Sequence, residues 1–256
     1  MIMRLRPLMW TIGSFAIVFV LWALVVRIFQ MPQYLLPGPV PVFASLAKNI
    51  AVLANQTLWT SATVLIGFVV AALFAIPLAM VIVVSPVLER LLYPPMVATQ
   101  SIPKIALAPL FIVWFGFGVA PKVAVAFLIA FFPIVIDTIV GLRSIDPAMI
   151  QLARSMGAPP YRIFLKLRLP HALPAIFGGL KVASSLAVVG ALTGEFVGSD
   201  KGLGYLLVQA SGNLNTALLF ATLVILSALA MAFFYLVEVL ERIAIPWHAS
   251  QRAHPH

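Results

Sequence analysis

The sequence predicts an all-α integral membrane protein with about six transmembrane helices, and three observations carry that prediction. Hydrophobic residues fill 63% of the 256 positions and charged residues only 9%, with a mean hydropathy of +1.12; so few polar side chains cannot coat a water-soluble globule. Long apolar runs recur along the chain, each bounded by charge, proline or glycine. Lysine and arginine outnumber the acidic residues 16 to 7, and the basic residues gather in alternate loops, as the positive-inside rule requires. That rule accounts for the net charge of +9, so no nucleic-acid partner is expected. With no cysteine in the chain, disulfides and thiolate metal sites are excluded.

The first run, residues 8–26, carries no charge and follows Arg4 and Arg6. At about 1.5 Å per residue it crosses the roughly 30 Å of bilayer hydrocarbon. A signal peptide would have a shorter apolar core and a small-residue cleavage site, whereas Arg27 and Phe29 follow here, so an uncleaved membrane helix is expected. Further spans are predicted at 58–84, 97–117, 122–142, 175–197 and 216–238. Lys104 interrupts the third, and Lys181 and Glu195 bracket a short clean core in the fifth, which marks both as helices shielded by protein. With the amino terminus inside, the inner face holds Arg4, Arg6, Arg90, Arg143, Arg154, Arg162, Lys166, Arg168, Arg242 and Arg252. The outer face holds Arg27, Lys48, Lys122 and Lys201. Both ends are therefore expected in the cytoplasm, with a polar tail at about 244–256.

That topology makes a cytoplasmic loop of about residues 143–174, between the fourth and fifth spans. Its sequence is built to fold. Asp146 before Pro147 is a helix start, the carboxylate accepting from orphan N–H groups and the proline suiting the first helical position. Met149, Leu152, Ala153 and Met156 recur at helical spacing, and Gly157 can end the helix in a left-handed conformation. A second short helix can start at Pro160, with Ile163, Phe164 and Leu167 on one side and Arg162 and Lys166 on another. Such a helix-turn-helix either lies on anionic lipid or docks its apolar residues into a soluble partner; helical periodicity leaves both open.

A motif separates the two. Binding-protein-dependent ABC importer permeases carry a cytoplasmic loop reading Glu-Ala-Ala, three residues, Gly, about nine residues, Ile, one residue, Leu-Pro. This chain, with Gln151-Leu152-Ala153, Gly157, Leu167 and Leu169-Pro170, resembles that family, departing at Gln151 and Leu152. Leu36-Pro37-Gly38-Pro39, "PKIALAPLFIVWFG" at 103–116, Phe132-Pro133 and "GEFVGSDKGLGYLL" at 194–207 extend the resemblance over about residues 30–245. It is most similar to the subgroup serving nitrate, taurine and alkanesulfonates, with relatives for pyrimidine vitamin precursors.

The resemblance implies a single permease domain over 1–256 with the type I importer fold, in a bacterial inner membrane. It also implies a second permease copy, two cytoplasmic ATPase subunits and an extracytoplasmic solute-binding protein. It assigns Gln151, Leu152, Ala153, Arg154, Gly157, Ala158, Ile163, Phe164, Leu169 and Pro170 to an ATPase-coupling loop. The chain has no Gly-x-x-x-x-Gly-Lys-Ser/Thr phosphate loop, so ATP and Mg are expected on the partner and no cofactor on this chain. His171, His248, His254 and His256 show no metal spacing with carboxylates.

Ionisable residues at membrane depth are candidates for pathway or pairing roles. Lys181 and Glu238 lie near cytoplasmic ends and can snorkel, and Asp137 is within about two turns of Arg143. Glu195, amid Gly194, Gly198, Gly202 and Gly204, is a candidate for solute contact or gating, with a structural hydrogen bond as the alternative. Pro77, Pro103, Pro109 and Pro133 would free backbone groups inside helices or kink them. The path or gate is accordingly placed at Pro103, Pro109, Glu195, Gly198, Gly202 and Gly204. A secondary transporter would show matching halves with paired broken helices, which are missing, and a membrane enzyme would need its few acidic residues to converge. A scaffold leaves the loop motif without a purpose. Nothing in the residues selects one solute.

Overall fold

The structure, a computed structural model, describes residues 5–246, with the side chains of 5–12 and 14–16 left out. Among the described residues there is no strand. The helices are α1 (Leu5–Ile28), α2 (Pro39–Lys48), α3 (Ile50–Val84), α4 (Pro86–Thr99), α5 (Ala108–Phe115), α6 (Val119–Arg143), α7 (Pro147–Ser155), α8 (Pro160–Ile163), α9 (Leu169–Gly198), α10 (Leu203–Gly212) and α11 (Thr216–Ala244). A 3₁₀ turn, Lys104–Leu107, precedes α5. Arg4, Arg252 and the polar tail beyond residue 246, with its three histidines, lie outside the described residues.

Among the described residues four helices are long and apolar enough to cross a membrane: α3, α6, the continuous Pro160–Gly198 helix and α11. The span expected at 97–117 is corrected. Helix α4 and the 104–115 helix form one pair bent by 89°, because Pro103 has no N–H to donate and its ring keeps the preceding residue out of the helical region. Six spans are reached only if this pair and α1 are both counted; the described apolar part of α1 is Ile17–Ile28. Other boundaries move outward. Helix α3 begins at Ile50, not 58, and α11 ends at Ala244. The second loop helix does not stop short: α8 runs through a π turn at 164–168 into α9. Pro170 cannot donate to the carbonyl four residues back, and the wider turn, with the Leu169 N–H donating to the Phe164 carbonyl, absorbs the clash.

Helix α9 packs along α6, and α3 closes the bundle against both. Small residues permit this. Ala71, Ala75 and Ala79 of α3 recur every fourth position and are buried with Ala126 and Ala130 of α6 and Ala183, Ala187 and Ala191 of α9. A Cβ on Gly190 or Gly194 would stand 2.6 Å from the Ala126 Cα or 2.7 Å from the Lys122 Cα, so α6 and α9 meet at backbone distance. In lipid, where apolar surface gains little by leaving the solvent, this close packing is what holds helices together.

Several charged groups at membrane depth are paired, which corrects the expectation for Lys181. Lys181 does not snorkel but pairs with the buried Glu241 of α11 at 2.9 Å, and Glu238 pairs with Arg242 at 2.6 Å. Arg143 pairs with Glu89 of α4, and Asp137 packs against Gly179, where an added Cβ would lie 2.7 Å from the Asp137 Cβ. Pro77 and Pro133 lie inside helices. Pro103 caps the 3₁₀ turn and Pro109 lies in the first turn of α5, positions whose N–H has no intrahelical partner.

Candidate functional site

Two polar clusters cap opposite ends of α9, which is about 45 Å long at 1.5 Å per residue. The first is the α6–α9 loop. The Asp146 carboxylate accepts the Ala148 N–H at 2.8 Å and opens α7. At the other end Gly157 adopts φ +79°, its N–H donating to the Arg154 carbonyl at 2.9 Å while the Ala158 N–H donates to the Ala153 carbonyl at 3.0 Å. These two bonds form a Schellman stop, and the left-handed residue it requires is the reason for a glycine. Pro159 and Pro160 then start the next helix, since neither can continue the previous one.

Helix α7 has two unlike faces. Met149, Leu152 and Met156, spaced i, i+3, i+7, point away from the protein, with Leu152 62% and Met156 79% exposed. Pro147, Ile150, Gln151 and Arg154 face inward over a cavity of about 330 Å³. Ala153 and Ala158 are half-buried, while Ile163 is buried and the half-buried Phe164 and Leu169 pack on Leu142, Ala172 and Ile176. Pro170 is half-buried in the first turn of α9. The loop residues named from the sequence therefore divide into an anchor (Ala153, Ala158, Ile163, Phe164, Leu169), a turn (Gly157), an outward face (Leu152) and a cavity wall (Gln151, Arg154).

The second cluster closes the other end. Glu195, only 2% exposed, accepts the Thr60 hydroxyl of α3 at 2.8 Å and the Gly204 N–H at 2.7 Å. Thr60 Oγ1 in turn accepts the Leu203 N–H at 2.8 Å, and Gln56 Oε1 accepts the Gly202 N–H at 2.6 Å. Lys122 of α6 donates to Ser199 Oγ. Lys201 lies over the Trp59 ring, 4.6 Å from its centroid. Residues 199–204 are thus tied to α3, α6 and α9 together, and the buried carboxyl group has its bonds supplied by a hydroxyl and a backbone amide, as a buried polar group demands.

Of the six residues assigned to a path or gate, Glu195, Gly202 and Gly204 meet in this cluster. Gly198 closes α9 against Ile112 and Phe117, where an added Cβ would lie 2.9 and 3.0 Å away. Pro103 and Pro109 lie in the bent α4–α5 segment, apart from the clamp. Gln56, Thr60 and Lys122 are the members that sequence reasoning missed. Thr60 and Thr63, polar in a helix read as apolar, and the Gly190-x₃-Gly194-x₃-Gly198 spacing were the available signals.

The clamp also fixes how the chain threads the bundle. Thr60, Lys122 and Glu195 place the early part of α3, the start of α6 and the end of α9 together. Arg143 and Glu89 place the end of α6 beside α4 at the opposite side. The bent pair therefore carries the chain from one end of the bundle to the other.

Such a bundle, with a glycine-closed two-helix loop between two tightly packed spans, has the type I ABC importer permease fold. Residues 67–245 match the family described as the binding-protein-dependent transport system inner membrane component, and the chain belongs to that family: it is a multi-pass inner-membrane transport permease. It is 36% identical over 238 residues to the formylaminopyrimidine transport permease protein ThiX of Halalkalibacterium halodurans, covering 93% of this chain and 95% of that protein. It is 37% identical over 233 residues to the riboflavin transport system permease protein RibX of Chloroflexus aurantiacus, covering 90% and 87%. Among solved structures, an inward-facing MetNI methionine ABC transporter aligns with a TM-score of 0.66 at 22% identity, over 77% of this chain and 97% of that one.

Proposed function

We propose that two copies of this chain line the path of an ATP-driven importer, energised by two cytoplasmic ATPase subunits and supplied by an extracytoplasmic solute-binding protein. The observation that carries this reading is the two-faced helix α7. Its inward face lies over a cavity, the helix that follows is anchored in the bundle through Ile163 and Phe164, and its outward Met149-Leu152-Met156 stripe is left for a soluble partner, as helix-in-groove docking needs. The Gly157 turn and the continuous Pro160–Gly198 helix would give a partner's movement a lever on the span that carries Glu195. ATP and Mg belong to the partner in this reading, both termini face the cytoplasm, and the bent α4–α5 segment with Pro103 and Pro109 borders the path. Gly198 and the 202–204 turn lie at its outer end. The formylaminopyrimidine and riboflavin names of two relatives favour a small planar heterocycle as solute.

Reconstitution in proteoliposomes with a cognate ATPase and solute-binding protein tests the proposal. ATP-dependent uptake of a pyrimidine or flavin, by a complex whose mass holds two permeases and two ATPases, is expected. Uptake that persists without the ATPase, driven by an ion gradient, would make the chain a secondary transporter. Uptake of taurine or nitrate in place of the heterocycle would overturn the substrate class alone.

A further inference from the structure

Two adjoining cavities lie beneath α7, on the side opposite its outward stripe. The first, about 330 Å³, is walled by Arg143, Arg154 and Arg168 together with Gln151. The second, about 590 Å³, shares Ile150, Arg154 and Arg168 with it and is otherwise largely apolar, walled by Val83 and Val84 at the end of α3 and by Ile163, Phe164 and Leu165. Arg143 is held by Glu89, but neither Arg154 nor Arg168 has a carboxylate partner among the described residues. Two guanidiniums thus stand at the seam between a polar hollow and a greasy one, with no counter-charge of their own.

The level of this seam in the bilayer follows from α6. Its 25 residues span about 38 Å, a little more than the roughly 30 Å of hydrocarbon. Leu142 and Arg143, at its end, therefore sit at the headgroup boundary. Guanidinium pairs at that level match the planar, multiply bonded recognition of a phosphate oxygen pair. Basic pockets between spans on the cytoplasmic side are a recurring form of anionic-lipid site.

We propose that this seam binds one anionic phospholipid, its phosphate on Arg154 and Arg168 and its glycerol and upper acyl chain along Val83, Val84 and Phe164. The site rests on the cytoplasmic placement of the loop given above. The lipid would wedge α7 against the end of α3 and set the tilt of the outward stripe without covering it, so occupancy tunes coupling and is separate from docking. A soluble anion lacks any chain to fill the apolar cavity, which is why the lipid is the better occupant.

The test uses the intact permease–ATPase complex in mild detergent, titrated with phosphatidylglycerol and, separately, with phosphatidylcholine, and read by native mass spectrometry. Phosphatidylglycerol is expected to bind at one site per permease and phosphatidylcholine not to. Arg154→Gln with Arg168→Gln should weaken that binding at least about tenfold, since each cation near the lipid surface contributes roughly 1 kcal/mol. Arg90→Gln with Arg242→Gln, which removes the same charge elsewhere, should leave it unchanged. Equal binding of both lipids by the unaltered complex, or undiminished phosphatidylglycerol on the Arg154/Arg168 double variant, overturns the proposal. So does release of the lipid by millimolar inorganic phosphate, which would mark a soluble-anion site. Lipid binding is read without ATP hydrolysis, so its failure leaves the importer reading standing, and loss of coupling leaves the lipid result interpretable.

Discussion

Gly202→Ala protein is expected to lose about 3 kcal/mol of stability. Two costs add. Gly202 has φ +109°, and a Cβ there would stand 2.2 Å from the Glu195 Cδ. A non-glycine residue in such a conformation costs on the order of 1–3 kcal/mol, and overpacking a filled site adds roughly as much. The strain can be relieved only by moving Glu195, which would break its bonds to Thr60 and to the Gly204 N–H and leave buried polar groups unpaired. Gly178→Ala supplies the control, because its Cβ would meet nothing within 4 Å. The check is thermal unfolding of both detergent-purified variants, together with maleimide labelling of a cysteine replacing the buried Leu203. Gly202→Ala should unfold well below Gly178→Ala and expose position 203. Equal melting and equal labelling would show that the 199–204 turn holds nothing in place.

Gly157→Pro should abolish transport and stimulated ATP hydrolysis together while the protein still inserts and accumulates. Proline fixes φ near −65°, whereas the Schellman stop needs +79° at this residue. The substitution also deletes the N–H that donates to the Arg154 carbonyl. The damage is local, since no residue of α7 is fully buried and the membrane helices owe nothing to the turn. Gly157→Ala, which keeps the N–H but strains the left-handed conformation by about 1–2 kcal/mol, should give a partial loss. Ala153→Glu, placing a charge on the half-buried anchor, should uncouple as proline does. ATP turnover and solute uptake, measured on the same reconstituted preparations, check all three. Full coupled activity in the proline variant would return the loop to a lipid-surface role.

The loop was legible from sequence because each of its signals is local. Asp146-Pro147, Met149 to Met156 at helical spacing, and Gly157 before two prolines each state a start, a face or a stop within a few residues. Spans were legible in number of apolar runs but less so in kind. Hydropathy sees Leu110 to Phe117 as continuous with the residues before Pro103, and it cannot register the 89° bend between the two halves. Nor could it end α8, because Pro170 reads as a break and the π turn that carries the helix past it depends on packing against Leu142 and Ile176. The clamp was the least legible part. Its partners Thr60 and Glu195 are 135 positions apart, and a threonine among apolar residues in a membrane helix reads at first as a bond to its own backbone, which is what Thr63 in fact makes. Glu241 escaped for a related reason: it lies past the predicted end of the last span at 238, yet it is 2% exposed once α11 packs on α9 against Lys181.

The claim at the centre of this account is that the outward face of α7 meets an ATPase and not the bilayer. The chain has no cysteine, so Leu152→Cys introduces a single thiol in the middle of that face. In membranes holding the permease with its ATPase, a short bifunctional maleimide at position 152 should join the two polypeptides. The yield should change when a non-hydrolysable ATP analogue is bound, and a lipid-soluble quencher should leave a fluorophore at 152 bright. A thiol that crosslinks to no ATPase in any nucleotide state, and whose fluorophore is quenched from within the bilayer, would contradict the account.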